Sequence, residues 1–386
     1  MAGAAAFAAH GLGLDPVAGD WPQLQADAVE QLLHGFANIG TLRALSWHSP
    51  RPFSAACLVQ TSAAPLFVKR HHRQVRQPAW LREEHRFMQH LREHGAPVAR
   101  VLSDRQGASA IALGDWTYEV HAVAEGHDLY RDALSWSAFD HEQHAFAAGQ
   151  ALARLHLGAR TYSAPARHTP VLLANFRLFG QADPLAAVEA ALGANPALAA
   201  YLDQRDWRAD LQPLLPWQRS LQPLLATQPP LWTHNDWHAS NLLWSSDGPQ
   251  AEVSSVLDFG LADRTFALFD LATAVERNGI PWLDLDHGGT AVAALNAVDA
   301  LLAGYHQIKP LAAHDLLTLT ALLPLVHVDF ALAEVAYFDG VVGSRASADI
   351  AYHAYLLGHA RWFAGEQGQN LLEHLARLTP ATLHRG

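Results

Sequence analysis

One ordered set of residues constrains this chain more than any other: His234-Asn235-Asp236-Trp237-His238-Ala239-Ser240-Asn241, followed by Asp258-Phe259-Gly260. Between the two parts, residues 241–244 and 253–258 read as short strands joined by a run of turn formers, Ser245-Ser-Asp-Gly-Pro-Gln250. Pairing those strands in register puts Asn241 roughly opposite Asp258, so two oxygen ligands distant in sequence meet at the open end of a hairpin. The set matches what phosphoryl transfer from a nucleotide requires. One carboxylate, Asp236, orients an attacking hydroxyl and accepts its proton, while Asn241 and Asp258 hold Mg²⁺ on the triphosphate.

The segment resembles the catalytic and metal-binding segments of the aminoglycoside phosphotransferase and choline kinase-like family, relatives of the protein kinases. The family pattern runs approximately His-Gly-Asp-x-His-x-x-Asn, then hydrophobic-Asp-Phe/Trp-Gly/Glu. Asn235 stands at the usual glycine, and asparagine is the residue best able to keep a positive φ there. Gly260 stands where some members carry a further acidic ligand. The resemblance implies an α+β, protein-kinase-like bilobal fold with an antiparallel small lobe and a large helical lobe. It also implies ATP and Mg²⁺ as cofactors and a small-molecule hydroxyl as acceptor. Acceptors across such relatives include amino sugars, choline-like alcohols, homoserine, sugars and protein hydroxyls. A protein Ser/Thr kinase and a catalytically silent nucleotide-binding protein stay open as alternatives.

The rest of the chain is read against that expectation. Residues 1–37 form a leader with one helix over 21–35, and residues 38–122 alternate short apolar runs with turns. A single helix over 80–94 interrupts those runs and ends at Gly95 with Pro97 beyond it. Residues 123–386 turn helical, with elements expected at 141–156, 184–203, 209–226, 266–277, 290–306, 311–339, 345–363 and 367–377. Of 26 lysines and arginines only Lys69 and Lys309 are lysine. Lys69, in the β-like run 64–70, falls where a kinase small lobe puts the ammonium that contacts the α- and β-phosphates. Glu84 in the first long helix is its expected ion-pair partner, with Glu83 the competitor. Ser54 and nearby amides are the expected phosphate contacts, although no Gly-x-Gly-x-x-Gly is present. Backbone groups of Ala122 and Ala124 are the expected adenine contacts. Asp270, opening a helix, is expected to cap it and to brace the catalytic loop.

For the acceptor, His238 lies beside Asp236, and the apolar stretch 325–339 embeds His327, Glu334 and Tyr337 at helical spacing, with Asp339 beyond. Such groups are costly unless paired or used. They form either an internal His–Glu pair or the floor of an acceptor pocket, favouring a neutral or amine-bearing acceptor. His234 reads as structural. Twenty-four histidines raise the question of zinc, but there is no His-Glu-x-x-His, and adjacent His71 and His72 point to opposite faces of a strand. A net charge of −11 argues against nucleic acid or anionic membrane as partner. One cysteine, Cys57, suits a reducing cytoplasm. No basic secretory n-region precedes the Ala-rich start, and the run 316–326 is too short to span a bilayer. A cytoplasmic monomer or homodimer is expected.

Overall fold

The computed structural model describes residues 19–49, 53–133 and 135–384. A five-stranded antiparallel sheet in the order β1-β2-β3-β5-β4 opens the chain: β1 Leu42–His48, β2 Ala55–Thr61, β3 Leu66–His72, β4 Ile111–Leu113 and β5 Trp116–Ala122. Strand periodicity divides its residues between two faces. Cys57, Val59, Val68, Tyr118 and Val120 form one apolar core together with Val29, Leu32 and Leu33 of helix α1 (Ala26–Leu33). The alternate residues Ala56, Leu58, Phe67, Lys69, Glu119 and His121 line a cavity. The helix expected over 21–35 is therefore shorter and is part of the sheet's core; residues 1–18 lie outside the described set.

Helix α2 (Pro78–Glu93) starts with proline in its first turn and is followed by Gly95 at φ +81°, the usual start and stop signals. Its buried stripe is Leu81, Glu84, His85, Met88 and Leu91, so two ionisable groups sit in the middle of an apolar face. A buried charge of that kind requires partners.

The larger part is helical: α3 (Glu142–Ala159), α4 (Pro184–Leu192), α5 (Pro196–Leu202), α6 (Trp207–Leu211), α7 (Leu215–Leu225), α8 (Ala267–Gly279), α9 (Leu295–Ile308), α10 (Ala313–Leu322) and α11 (Val328–Tyr337). Prolines and glycines divide the long elements expected at 184–203 and 209–226 into shorter pieces. The expected hairpin is present as β7 (Leu242–Trp244) with β8 (Val253–Val256), Leu242 opposite Val256. A second small pair was not expected, β6 (Pro230–Thr233) with β9 (Asp263–Phe266). It brings the chain entering the 234–241 loop alongside the chain leaving Asp258. The helical run Ala313–Val342 exceeds the apolar run expected at 316–326 and is long and apolar enough to cross a bilayer by length and composition alone, yet 78% of its most apolar window is buried inside the fold.

Helices α3 and α9 approach closely at two glycines. A Cβ on Gly149 would lie 2.0 Å from the Leu301 carbonyl oxygen, and one on Gly304 would lie 2.0 Å from that of Phe146. Gly158, also in α3, would meet side chains alone, Leu91 at 3.6 Å and His94 at 3.8 Å, both ordinary van der Waals contacts. Gly149→Ala should therefore destabilise the protein by roughly 1–3 kcal/mol through overpacking, whereas Gly158→Ala should be neutral or slightly stabilising. Melting temperatures of the two variants check this; equal values would contradict the backbone contact.

Candidate active site

The loop from His234 to Asn241 is held by backbone bonds to buried side chains. Asp270 accepts from the N–H of His234 (2.8 Å, Oδ2) and of Asn235 (2.8 Å, Oδ1), while His156 Nε2 lies 3.0 Å from its Oδ2. The expected brace is present. The expected cap is not, since Asp270 sits inside the first turn of α8 and Phe266 occupies the N-cap without a side-chain bond. Asn235 has φ +63°, as its place at the family's glycine required, and its side chain donates to the carbonyls of Ala174 (2.9 Å) and Leu261 (3.2 Å). His234 is structural: Nε2 donates to the Leu257 carbonyl (2.8 Å) and Nδ1 accepts from the Asp236 N–H (3.2 Å). Asn278 of α8, unnoticed in the sequence, closes the loop's far half by accepting from Ala239 N–H (3.0 Å) and donating to the Trp237 carbonyl (2.9 Å).

These bonds aim Asp236. Its carboxylate Oδ2 accepts from Asn241 Nδ2 at 3.2 Å and has His238 Nε2 at 3.6 Å; Arg277 Nη2 is 3.5 Å from Oδ1. Burial opposes ionisation, but the positive charges of His238 and Arg277 outweigh it and hold the carboxyl well below the usual range. The group is ready to accept a proton-bearing hydroxyl, not to give up a proton of its own. Asn241 Nδ2 also donates to the Asp236 carbonyl (3.0 Å) and lies 2.9 Å from His238 Nε2. Among the described residues its amide makes its contacts through nitrogen, which leaves Oδ1 to a cation. Leu257 N–H bonds the Asn241 carbonyl (2.8 Å), which fixes Asp258 beside it, at φ +53°. An amide oxygen and a partly exposed carboxylate suit a hard, oxygen-preferring ion such as Mg²⁺.

The cavity beside this loop, about 260 Å³, brings together Ser54, Lys69, Glu84, Ala122, Ala124, Asn241 and Asp258. Two expected contacts are corrected. Lys69 Nζ pairs with Asp258 Oδ1 (2.8 Å), and among the described residues no hydrogen bond joins it to Glu84. Burial disfavours the ammonium, but Asp258, Glu119 and Glu84 outweigh that and raise its pKa. Glu84 instead pairs with Arg167 Nη2 (3.2 Å), and Arg167 and Arg76 both donate to the Gly260 carbonyl, at 2.8 and 2.9 Å. The helix carboxylate thus grips the Asp258 loop through an arginine from an irregular segment. The Ala122 N–H is consumed by the Arg100 carbonyl (2.9 Å), so the expected base contact there narrows to its carbonyl. The middle of the expected phosphate loop, residues 50–52, lies outside the described residues.

Arg277, the partner of Asp236, also lines a second cavity of only about 10 Å³, together with Asn235, Glu276, His327, Phe330 and Tyr355, among others. His327 and Glu334 do not form the pair considered from sequence. His327 Nε2 donates to the Leu356 carbonyl (3.1 Å), and burial with a neighbouring His359 lowers its pKa to about 4. Glu276 pairs with His359 (2.9 Å). Glu334 Oε2 has no hydrogen-bond partner among the described residues, and burial, only partly relieved by Arg277, raises its pKa to about 8. Tyr337 faces away from this cavity: its hydroxyl donates to Asp20 (2.8 Å) and accepts from Trp21 Nε1 (3.2 Å), in the segment preceding α1. Asp339 pairs with Arg345 (2.9 Å).

The sequence pattern of the phosphotransferase enzyme family (APH) matches residues 52–311. A homoserine kinase of Rhodopseudomonas palustris (strain ATCC BAA-98 / CGA009) is 26% identical over 243 residues, 62% of this chain; the match spans 62% of that relative's length. Among solved structures, a microcompartment-associated aminopropanol kinase superposes with TM-score 0.58 at 20% identity, covering 92% of this chain and 100% of that one. An amicoumacin kinase, solved with AMP-PNP, Ca²⁺ and its ligand, gives 0.57 at 14% identity, covering 93% and 97%. Both superpositions show a shared fold.

Burial raises Glu334 to about 8 and Glu276 to about 7, each from an ordinary 4.5. The folded protein therefore binds these protons more tightly than the unfolded chain. Their contribution to stability is complete below about 4.5 and is lost as pH rises through about 7–8. Glu334→Gln should flatten this decline, gaining melting temperature over wild type above about pH 8 and little near its acid end. Parallel stability curves for the two proteins would contradict it.

Proposed function

The chain belongs to the phosphotransferase enzyme family, and we propose that it moves the γ-phosphate of ATP, with Mg²⁺, to a hydroxyl of a small molecule. The observation that carries this reading is the Asp236 carboxylate, kept ionised and bonded to Asn241, which with Lys69 and Asp258 lines the large cavity. In the division of labour we propose, residues 38–122 bind nucleotide and residues 123–386 supply catalysis and acceptor binding.

The acceptor hydroxyl docks on Asp236, which orients its lone pair toward the γ-phosphorus and takes its proton as the new O–P bond forms. The bond from the γ-phosphorus to the β–γ bridging oxygen breaks, and ADP leaves with that oxygen. Lys69 neutralises charge on the α- and β-phosphates. Asn241 Oδ1 and Asp258 would hold Mg²⁺, which supplies charge neutralisation on the β- and γ-oxygens. Arg277 holds Asp236 in place and stacks on Trp136, its guanidinium carbon 4.0 Å from the ring centre.

Three carboxyl groups, Asp236, Glu276 and Glu334, act on Arg277, which shares a small cavity with the neutral His327. Burial holds protons on Glu276 and Glu334, and an acceptor carrying an amine would ionise one of them and gain a charge-assisted bond. The similarity to a homoserine kinase and to an aminopropanol kinase supports the same class.

An ADP-release assay over amino alcohols, homoserine, amino sugars and free sugars tests the reading. An amine-bearing alcohol should give the highest kcat/KM. Asp236→Asn should keep nucleotide binding while lowering turnover by ~10²–10⁴-fold, the usual contribution of a general base. A variant retaining more than about a tenth of the rate, against that range, would remove Asp236 from the role.

A further inference from the structure

The cavity-facing side of the small sheet carries, behind Lys69, a buried constellation that phosphoryl transfer does not use. Glu119 of β5 is 1% exposed, and three imidazoles from three elements converge on its carboxylate through the same ring nitrogen. His71 Nε2 of β3 is 3.0 Å from Oε1, while His85 Nε2 of α2 and His121 Nε2 of β5 are each 2.8 Å from Oε2. Lys69, opposite Glu119 in the sheet register, is already paired with Asp258.

We propose that His85, Glu119 and His121 form a binding site for a divalent ion of the zinc class, with His71 holding the second oxygen of Glu119. Their ligand atoms all lie within 4.8 Å of one another. Two imidazoles and one glutamate are an established zinc set. Ligands about 2.0–2.1 Å from a tetrahedral ion lie about 3.3 Å apart, so the contacts present need to open by only a few tenths of an ångström. The outer shell is in place, since His85 Nδ1 is 2.8 Å from Ser109 Oγ and can donate to it, which leaves Nε2 as the lone-pair nitrogen. Glu119 and His121 line the cavity, which gives the ion a path in. Imidazole ligands also separate this site from the Mg²⁺ ligands, because a hard ion prefers an all-oxygen set. The ion would tie β5 to α2, the helix whose Glu84 holds Arg167 on the Gly260 carbonyl. It would thereby fix the rear wall of the nucleotide cavity without taking part in the transfer.

The sequence-level argument against zinc rested on local motifs, and these ligands come from positions 85, 119 and 121 on two separate elements. Neither a helical nor a strand spacing announces them.

The test uses the whole chain without nucleotide, so its failure leaves the phosphotransferase reading intact. Metal-free protein is titrated with Co²⁺ while visible absorption is followed. One equivalent should bind with the intense bands of a four- or five-coordinate nitrogen–oxygen site, and Zn²⁺ should displace it and raise the melting temperature. His85→Gln and His121→Gln should each weaken binding by at least about 100-fold, beyond what loss of an outer-shell partner causes. His314→Gln, at an exposed histidine, should not. If either ligand variant fails to fold, zinc-edge X-ray absorption of the wild-type complex decides, and it should show at least two imidazoles. Binding that is non-stoichiometric, that survives both ligand variants unchanged, or that lacks the imidazole pair would overturn the proposal.

Discussion

The carboxylate of Asp270 is the contact on which the site depends. Both oxygens are spent on consecutive backbone N–H groups, those of His234 and Asn235, at a turn where Asn235 is forced into the left-handed region. A backbone bond does not depend on the side chain it belongs to, so this grip fixes the path of the loop and not merely one residue. Asp236 follows immediately and inherits its direction. Because Asp270 belongs to α8, the loop is registered to the helix that also provides Asn278 and Arg277, which hold Trp237, Ala239 and Asp236 in turn.

A second network does the same for the metal side. Arg76 and Arg167 meet at one carbonyl, that of Gly260, with Glu84 supplying the negative charge. Two buried guanidinium groups so close disfavour each other, and burial together with Arg167 lowers the Arg76 pKa to about 9. They are retained because together they pin the turn that follows Asp258. Helix α2 and the turn after Asp258 are thus mechanically joined, and Lys69 needs no direct carboxylate from α2 to stay in place.

The legible part of the site is the part encoded locally. The 234–241 loop, the 242–256 hairpin and the positive φ of Asn235 follow from contiguous residues whose backbone needs are written beside them. Lys69 was found by its rarity and by its strand. What sequence left undetermined are partners from irregular segments. Glu84 lay in the expected helix, but Arg167 sits in a stretch with no periodicity to announce it. Tyr337 was placed near the acceptor because it shares a helix with Glu334, yet Asp20 and Trp21 claim its hydroxyl. The pair β6 and β9 escaped notice because four-residue strands carry too little alternation to be read. Glu276 and His359 pair across 83 residues, so no local spacing links them.

The central claim is that catalytic competence comes from the loop geometry enforced by Asp270, with Asp236 as its product. Steady-state turnover of Asp270→Asn, measured beside its KM for ATP and its melting temperature, tests this most directly. The amide keeps one acceptor oxygen and loses the other, so the folded variant should lose at least about 100-fold in kcat, the scale of a misplaced catalytic group, with the KM for ATP nearly unchanged. A folded Asp270→Asn enzyme with wild-type turnover would contradict the account.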